Sequence, residues 1–226
     1  KSCVLMSGEI ECVGLLYEGN GNNRQTHMTI QGMNSDLGMG LSGSITVWGA
    51  GRQDFLAWNG TEARAIGKNI AGEHGVGDFN NNKSPQNPNW QNTGGSALIP
   101  SAILVPGNTE RNNNCIVEAS TNKLFCMGDA AEDFYSDLSG ISGNQASPVE
   151  MTHVGTTWKD FSMGNKSSCF IDASNEVYCY GSDQYERLGN GSGTSASSTP
   201  VKININKTFR KVAQGESHAC AITNDI

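Results

Sequence analysis

The 226-residue chain has a formal net charge of −7 and a sequence pI near 5.0, so it lacks the basic surface that proteins use to bind nucleic-acid phosphates. No apolar run in the sequence approaches the length of a membrane-spanning helix. The 28 glycines, with 36% hydrophobic and only 7% aromatic residues, favour many short strands and tight turns over a helical core.

The chain opens with the pattern of a β-hairpin. The outgoing strand carries a cysteine and an aliphatic residue two positions apart, and the return strand carries the same pair in reverse order: Cys3, Leu5, Ile10 and Cys12. Side chains two residues apart share one face of a strand, so both cysteines lie on the same side of the predicted hairpin.

The middle of the chain, from residue 27 to residue 107, has no cysteine. The segment 43–49 resembles a return strand that ends in an aromatic-Gly pair, Trp48-Gly49, and the segment 71–74 resembles the segment 214–218. The distance of 112 residues between Cys3 and Cys115 (115 − 3) leaves room for one further repeat. One interpretation is therefore a degenerate repeat with long loops, and the other is an inserted β module that carries a binding surface.

A long polar loop is predicted from Asp78 to Gly95, with Trp90 as its single large aromatic residue. Loops on a rigid β scaffold commonly carry recognition. Trp90 is therefore a candidate ligand-binding residue, although it could equally be tucked beneath the loop as an anchor.

The hairpin pattern of the first twelve residues returns twice and then begins once more. Its residues are Cys115, Val117, Leu124 and Cys126 in one hairpin, Cys169, Ile171, Val177 and Cys179 in the next, and Cys220 and Ile222 in the last. The first cysteines are 54 (169 − 115) and 51 (220 − 169) residues apart. A period near fifty with hairpins in each repeat is typical of propellers and solenoids.

The last complete repeat resembles the repeats of the regulator-of-chromosome-condensation (RCC1) family. The segment Tyr180–Gly191 is similar to the family pattern aromatic-Gly-x-Asn-x-x-Gly-Gln-Leu-Gly-x-Gly, with Asp183, Glu186 and Arg187 as departures. Pro200-Val201 and the segment Val212–Ile222 match the rest of the repeat, and the preceding repeat matches more loosely. The resemblance implies an all-β, RCC1-like propeller, partial or small, with about four repeats of roughly 50 residues. It divides the chain into 1–112, with the first repeat and the uncertain middle, and 113–226, with two well-formed repeats and the start of another.

The cysteines favour disulfides and an oxidising compartment. Cross-strand pairs that recur in each repeat predict the bonds Cys3–Cys12, Cys115–Cys126 and Cys169–Cys179. Reduced core thiols are the alternative, and zinc fits poorly because the pairs are not Cys-x-x-Cys and the four histidines are scattered. Cys220 has no partner in this pattern. We expect either that the chain is a piece of a longer repeat protein or that Cys220 pairs with another chain.

Motifs for catalysis, metals or cofactors are weak. The segment 38–43 matches G-x-G-x-x-G, but a strand-like segment follows it where a dinucleotide site needs a helix. The segment beginning at Asp78 spaces oxygen ligands like a calcium loop, but Lys83 and Asn89 stand where the loop needs Gly and Glu. The sequence predicts no catalytic residues, no metal site and no cofactor, and His218, at the repeat histidine position, is expected to pack within its repeat.

Two exposed connectors are the candidate ligand-binding surface. They carry aromatic and charged side chains of the types enriched at recognition sites: Asp133, Phe134, Tyr135, Tyr185, Glu186 and Arg187. The alternative is that these residues pack between repeats.

Together these observations predict a secreted or cell-surface recognition domain, a disulfide-containing variant of bacterial type. Its partner would be a protein or a cell-surface glycan, bound through propeller loops, with no nucleic acid and no membrane insertion. The domain would belong to a larger surface or fibre protein, or to an oligomer. A soluble inhibitor or scaffold is the alternative, and an enzyme using carboxylates near Asp129 is disfavoured.

Overall fold

The structure, a computed structural model, describes residues 2–6, 9–17, 23–28, 45–50, 54–80, 82–88, 90–91, 94–104, 113–129, 143–154, 157–193 and 195–225. The strands of residues 2–28 and of residues 82–86 are described by their backbone.

The described residues form seventeen β-strands and two short 3₁₀ turns. The first seven strands are β1 (Ser2–Met6), β2 (Glu9–Tyr17), β3 (Asn23–Met28), β4 (Val47–Ala50), β5 (Asp54–Trp58), β6 (Ala63–Gly67) and β7 (Asn82–Gln86). The next eight are β8 (Pro100–Leu104), β9 (Asn113–Glu118), β10 (Leu124–Gly128), β11 (Gln145–Glu150), β12 (Asp160–Met163), β13 (Ser167–Ile171), β14 (Val177–Gly181) and β15 (Ser197–Lys202). The last two are β16 (Phe209–Gln214) and β17 (Ala219–Thr223), and the 3₁₀ turns are Thr152–Val154 and Gln184–Glu186.

Consecutive strands pair antiparallel into five sheets. Three sheets have four strands in chain order, β4–β7, β8–β11 and β12–β15, while β1–β3 form a three-stranded sheet and β16–β17 a two-stranded one. Each four-stranded sheet is one repeat, and in the sheets β8–β11 and β12–β15 the predicted hairpins are the two central strands. The all-β class and the repeated hairpin architecture are confirmed.

The cysteines pair as the hairpin pattern predicts. Cys115 lies directly opposite Cys126 and Cys169 opposite Cys179, and both pairs form disulfides. Cys3 lies opposite Cys12 in the backbone register, but the described atoms do not extend to these side chains, so that bond stays a prediction. Closing a loop of about ten residues stabilises a fold by on the order of 2–3 kcal/mol in the chain-entropy model.

The middle of the chain forms a four-stranded sheet, and one element of its predicted pattern is wrong. Trp48-Gly49 lies in the first strand of that sheet, β4, and the return strand is β6, which ends at Gly67. Gly67 has φ 114°, like Gly128 at 108° and Gly181 at 102°, and each of the three glycines follows a shift in strand register. The glycine is needed because a β-bulge with a positive φ ends the regular pairing there.

These glycines recur along the chain at intervals of about one repeat. Gly14, in β2, precedes Gly67 by 53 residues (67 − 14), and Gly128 precedes Gly181 by 53 (181 − 128). The interval from Gly67 to Gly128 is longer, at 61 (128 − 67). The repeat therefore runs through the cysteine-free middle. The predicted domain division at residues 112 and 113 stays a prediction.

The core lies between successive sheets, which pack face to face. In β9, the side chain of Ile116 packs toward the sheet β4–β7, together with Leu56 and Ala65. Its neighbours Cys115 and Val117 pack toward the sheet β12–β15. Cys169 and Ile171 of β13 likewise pack toward the two-stranded sheet, whose Phe209 and Val212 are buried against them. The alternation of side chains along a strand thus gives each sheet one face for each neighbour.

The antiparallel order also gives the molecule two ends. In each four-stranded sheet, the end of the first strand, the start of the second, the end of the third and the start of the fourth lie at one end of the molecule, which we call the connector face. The opposite strand ends lie at the other end, which we call the hairpin face. On the connector face, Asn165 donates its backbone N–H to the carbonyl of Gly215 at 3.4 Å. On the hairpin face, Trp158 Nε1 donates to the carbonyl of Asn122 at 3.1 Å.

Candidate protein-binding face

Two connectors on the connector face are described, residues 68–80 after β6 and residues 182–193 after β14, and they share one backbone design. Four pairs of equivalent positions, 114 residues apart, have positive φ in both: 67 and 181, 72 and 186, 75 and 189, and 77 and 191. Three of the four pairs are glycine in both connectors. The repeated left-handed positions show that the segment 67–77 is the same connector as the segment 181–191.

This equivalence corrects the alignment of the segment 71–74. That segment belongs to the connector after β6 and not to the turn that corresponds to residues 214–218. Gly67, Asn69, Gly72, Gly75 and Gly77 supply the glycines and the asparagine of the family pattern in the cysteine-free repeat.

A side chain two residues after the bulge glycine holds each connector in shape. Asn69 Oδ1 accepts the backbone N–H of His74 at 2.8 Å, and Asp183 Oδ1 accepts that of Leu188 at 2.9 Å. The second polar atom of each side chain is bonded differently. Asn69 Nδ2 donates to the carbonyl and to Oδ1 of Asp78, both at 3.1 Å, whereas Asp183 Oδ2 is buried without a hydrogen-bond partner among the described residues. The Asp183 carboxyl therefore forms fewer hydrogen bonds within its connector than the Asn69 amide does.

The connector after β14 presents two of the predicted contact residues to solvent. Tyr185 is 67% exposed and Glu186 is exposed beside it. Both have positive φ, 68° for Tyr185 and 55° for Glu186. The equivalent connector has Ala71 and Gly72 at these positions.

Arg187, predicted as a third contact residue, is instead buried. Its Nη1 donates to the carbonyl of Asn165 at 2.5 Å and to that of Glu216 at 2.7 Å, and its Nε donates to the carbonyl of Gln184 at 2.7 Å. The guanidinium thus joins the connector to the first turns of its own sheet and of the next. Its guanidinium carbon also lies 5.8 Å from the centroid of the Tyr185 ring. The packing alternative holds for Arg187, because its donors are taken by backbone carbonyls.

Glu73 occupies the position equivalent to Arg187 and is also buried. Its Oε2 accepts the backbone N–H of Ala71 at 2.8 Å. Asn114 Nδ2 joins the two carboxyl-bearing residues nearby, donating to the carbonyl of Glu73 at 2.8 Å and to Asp54 Oδ2 at 2.7 Å. The pKa of Glu73 is raised to about 8: burial is the largest cause and the charge of Asp54 adds to it, while backbone hydrogen bonds and the charge of Lys68 oppose it. The Glu73 carboxyl is therefore mostly protonated at neutral pH.

Of the two interpretations of Trp90, the buried anchor is the one that the structure supports. It is 3% exposed, packs with Leu98 and Met127 between two sheets, and donates Nε1–H to the carbonyl of His74 at 3.0 Å. The expectation that it contacts a ligand from an exposed loop therefore does not hold.

The sequence missed two exposed apolar side chains of the connector after β6, Ile70 and Phe79, each 49% exposed. The signal that could have found them is the family pattern at residues 67–77, which places both on a connector. Asp133, Phe134 and Tyr135 lie outside the described residues, so their contact role stays a prediction.

Other candidates from the sequence bring no reactive cluster together. Asp78 Oδ1 accepts the N–H of Asn80 at 3.0 Å, which is a local turn. Within the described ranges, no group of three or more His, Cys, Asp or Glu side chains could hold a metal ion. His218 is exposed, and the glycine motif at residues 38–43 lies outside the described residues. None of the helices in the described ranges is both long and apolar enough to cross a membrane.

The fold and the connectors define a repeat protein of the β-propeller class, and comparison with known proteins identifies the repeat. Residues 174–222 match the family model of the regulator of chromosome condensation (RCC1) repeat. The resemblance seen in the sequence is confirmed over these residues.

Solved structures show the same fold at low sequence identity. Prp20p of Saccharomyces cerevisiae is 15% identical, with a TM-score of 0.62 over 79% of this chain and 44% of that one. Human WBSCR16 is 19% identical, with a TM-score of 0.62 over 91% of this chain and 48% of that one. Yeast RCC1 (Prp20) bound to Kap60 gives 15% identity and a TM-score of 0.62, over 79% and 42% of the two chains. The chain thus spans less than half the length of these structures. No curated protein matches its sequence.

Proposed function

We propose that this chain is a non-enzymatic, extracellular recognition domain that binds a protein or a cell-surface glycan through its connector face. The observation that carries the proposal is the state of Tyr185 and Glu186, which are exposed and both held in the left-handed region. A left-handed conformation costs a residue with a Cβ roughly 1–2 kcal/mol, and glycine avoids most of that cost. Side chains kept there without burial are candidates for function.

The chemistry of the connector face supports recognition. Tyr185 offers a large ring with a hydroxyl, and the Arg187 guanidinium beneath it helps to fix its position. Ile70 and Phe79 add apolar area on the other described connector, the one after β6. Aromatic side chains on a rigid scaffold bind at low cost in conformational entropy. Such a surface can pack on an apolar protein patch or stack on a sugar ring.

Similar proteins support a protein partner. The structure of Prp20p is described together with its binding to Gsp1p and histones, and that of yeast RCC1 is a complex with Kap60. We carry over protein binding as a class and none of these partners, because identity near 15% supports the fold alone. The net charge of −7 also disfavours acidic surfaces as partners.

The disulfides support a secreted or surface-displayed protein. Two hairpins are closed by disulfides, and such bonds persist mainly in oxidising compartments. In the adhesive form of the proposal, the domain belongs to a larger surface or fibre protein. In the alternative form, it is a soluble inhibitor or scaffold of one protein, and the same face would serve either form.

The test is binding of the fluorescently labelled domain to intact cells of several types, with simple sugars as competitors. Saturable staining supports adhesion, and loss of staining with one sugar identifies a glycan ligand. Retention of one soluble protein in place of staining supports the inhibitor or scaffold.

A connector-face variant makes the test specific. Tyr185→Gly with Glu186→Gly removes both side chains and relieves the backbone, so we expect binding to fall at least tenfold while stability is unchanged or increased. Ile99→Ser is the matched control, because Ile99 is 54% exposed and lies on the hairpin face. Equal binding by the double variant and the wild type would refute the proposed site.

A further inference from the structure

A cavity of about 190 Å³ opens on the hairpin face, between the sheet β8–β11 and the segment that leads into it. Its inner wall is apolar and comes from Leu98 and Phe125, which are buried between two sheets. Its rim is polar and comes from the hairpin turn and the outer strand, with Glu118, Ser120, Lys123 and Glu150. The cavity lies at the opposite end of the molecule from the connectors, so it is no part of the connector face.

Glu118 supplies a fixed anionic acceptor to this cavity. Its Oε2 accepts the backbone N–H of Thr121 at 2.7 Å and the Thr121 hydroxyl at 2.6 Å, and its Oε1 accepts the Ser120 hydroxyl at 3.0 Å. Burial alone would raise the pKa of Glu118, but these hydrogen bonds outweigh burial and lower the pKa, so the carboxyl is ionised at neutral pH. A carboxylate oxygen has two lone pairs, so Oε1 can accept one further donor from a bound molecule.

Lys123 adds a cationic donor to the same rim. Its Nζ lies 2.8 Å from Glu150 Oε1, and the two side chains are 38% and 33% exposed. An ammonium group has three N–H donors, so Lys123 can keep its contact with Glu150 and also donate to a ligand. The cavity thus places strong acceptors and a strong donor around one small space.

The next repeat builds the same corner with a hydroxyl of its own. Tyr178 is equivalent to Phe125 (178 − 125 = 53), and the ion pair of Glu176 with Lys202 is equivalent to that of the cavity with the charges exchanged. Tyr178 Oη donates to Glu176 Oε2 at 3.1 Å. Phe125 has no hydroxyl to place beside its ion pair. A hydroxyl of a ligand can therefore take the place that the Tyr178 hydroxyl takes in the next repeat.

The charges of the rim favour a neutral, polyhydroxylated ligand. Lys123 repels a cation, and Glu118 and Glu150 repel an anion. An alcohol hydroxyl both donates and accepts, so adjacent hydroxyls can donate to Glu118 and accept from Lys123. The carbon-bound hydrogens of a ring can pack on Leu98 and Phe125. The volume of about 190 Å³ is below the range of roughly 300–1,000 Å³ of sites for drug-sized molecules, which suits one ring and not a chain.

We propose that this cavity binds a single neutral sugar ring, with adjacent hydroxyls of the ring bonded to Glu118 and Lys123. It is a second recognition site, on the hairpin face. It does not rest on the connector-face proposal, because the cavity binds a free sugar whether or not Tyr185 and Glu186 contact a partner.

The test uses the 226-residue chain, labelled with ¹⁵N and with its disulfides intact. D-Glucose, D-galactose and D-mannose are added separately, each to about 100 mM, while the backbone amide shifts of residues 118–123 are followed by NMR. We expect at least one hexose to shift these amides saturably, with a dissociation constant on the order of 1–10 mM. Cyclohexanol, a ring of the same size with one hydroxyl, is expected to leave them in place. The proposal is overturned if no hexose shifts these amides or if cyclohexanol shifts them equally.

Variants of the rim and the wall give a second readout. Glu118→Gln replaces the anionic acceptor by a neutral amide and is expected to weaken sugar binding about tenfold. Phe125→Tyr supplies the hydroxyl that the next repeat has and is expected to weaken binding severalfold by filling the cavity. Glu176→Gln makes the same chemical change as Glu118→Gln in the equivalent corner of the next repeat, and it is the matched control expected to bind like the wild type.

The connector-face double variant, Tyr185→Gly with Glu186→Gly, is also expected to bind the free hexose like the wild type, which separates the two sites. A dispersed amide spectrum shows that each variant is folded, and Phe125→Tyr decides the question if Glu118→Gln does not fold. Unchanged binding by either rim or wall variant, or an equal loss of binding in Glu176→Gln, would place the sugar elsewhere and overturn the proposal.

Discussion

Glu73→Gln tests the buried carboxyl of the connector after β6, which accepts the backbone N–H of Ala71. The pKa of Glu73 is raised from 4.5 to about 8 in the folded protein, first by burial. Between those two pH values the folded state keeps a proton that the unfolded state has lost, so the stability that Glu73 contributes is fully present below pH 4.5 and is lost as the pH rises toward 8. A shift from 4.5 to about 8 corresponds to about 5 kcal/mol between the two ends of that window.

Glutamine removes this dependence without removing the contact. Its amide oxygen can accept the N–H of Ala71, which Glu73 Oε2 accepts at 2.8 Å, and it stays neutral beside Asp54. We expect Glu73→Gln to match the wild type within about 1 kcal/mol at pH 5 and to exceed it by about 4–5 kcal/mol at pH 8.5. Urea unfolding of both proteins without reductant, at half-unit steps of pH, measures the difference.

Glu118→Gln is a control of opposite sign. Burial alone would raise the pKa of Glu118, but hydrogen bonds from Thr121 and Ser120 outweigh it and lower the pKa. The ionised form therefore stabilises the fold above the unfolded pKa, and that contribution is lost as the pH falls. If the unfolding free energies of the wild type and Glu73→Gln change with pH in parallel, Glu73 is ionised in the folded state and our account of its raised pKa is wrong.

Four further substitutions test the connectors and the anchor. Asp183→Asn places a donor at the buried Oδ2 position and is expected to stabilise the fold by about 1–2 kcal/mol. The reciprocal Asn69→Asp should destabilise the fold by about 1–3 kcal/mol at pH 7. Urea midpoints that move in the same direction for both variants would contradict this expectation. Trp90→Phe leaves the buried carbonyl of His74 without its donor, and a loss of about 2 kcal/mol is expected, seen as a lower Tm in calorimetry; an unchanged Tm would refute the anchor. Arg187→Lys removes the guanidinium that bonds the carbonyls of Asn165 and Glu216. We expect stability to fall by about 2 kcal/mol and hydrogen exchange to become faster in the turn between β16 and β17. Unaltered exchange would show that these hydrogen bonds are dispensable.

The hairpins could be predicted from the sequence because their information is local. A cysteine and an aliphatic residue two positions apart, repeated in reverse across a short turn, specify the register, and the structure has Cys115 opposite Cys126 and Cys169 opposite Cys179. The period near fifty and the connector after β14 likewise follow from residue types and spacing alone. The absence of a nucleic-acid partner, expected from composition and charge, stays a prediction.

Tertiary structure decided the roles of those residues whose partners lie on a neighbouring sheet. Trp90 and Arg187 are residue types that serve equally at a binding surface or in a core, and only the carbonyls of His74, Asn165 and Glu216 show that both are buried anchors. Trp48-Gly49 imitates an aromatic-Gly pair, and only the strand pairing places the bulge at Gly67. The chain thus determined its hairpins by itself, because they depend on contacts within about a dozen residues, and its period and class follow from the spacing of those hairpins. Burial and the raised pKa of Glu73 arise between successive sheets, whose contacting residues lie far apart in sequence, and only the packed structure could decide them.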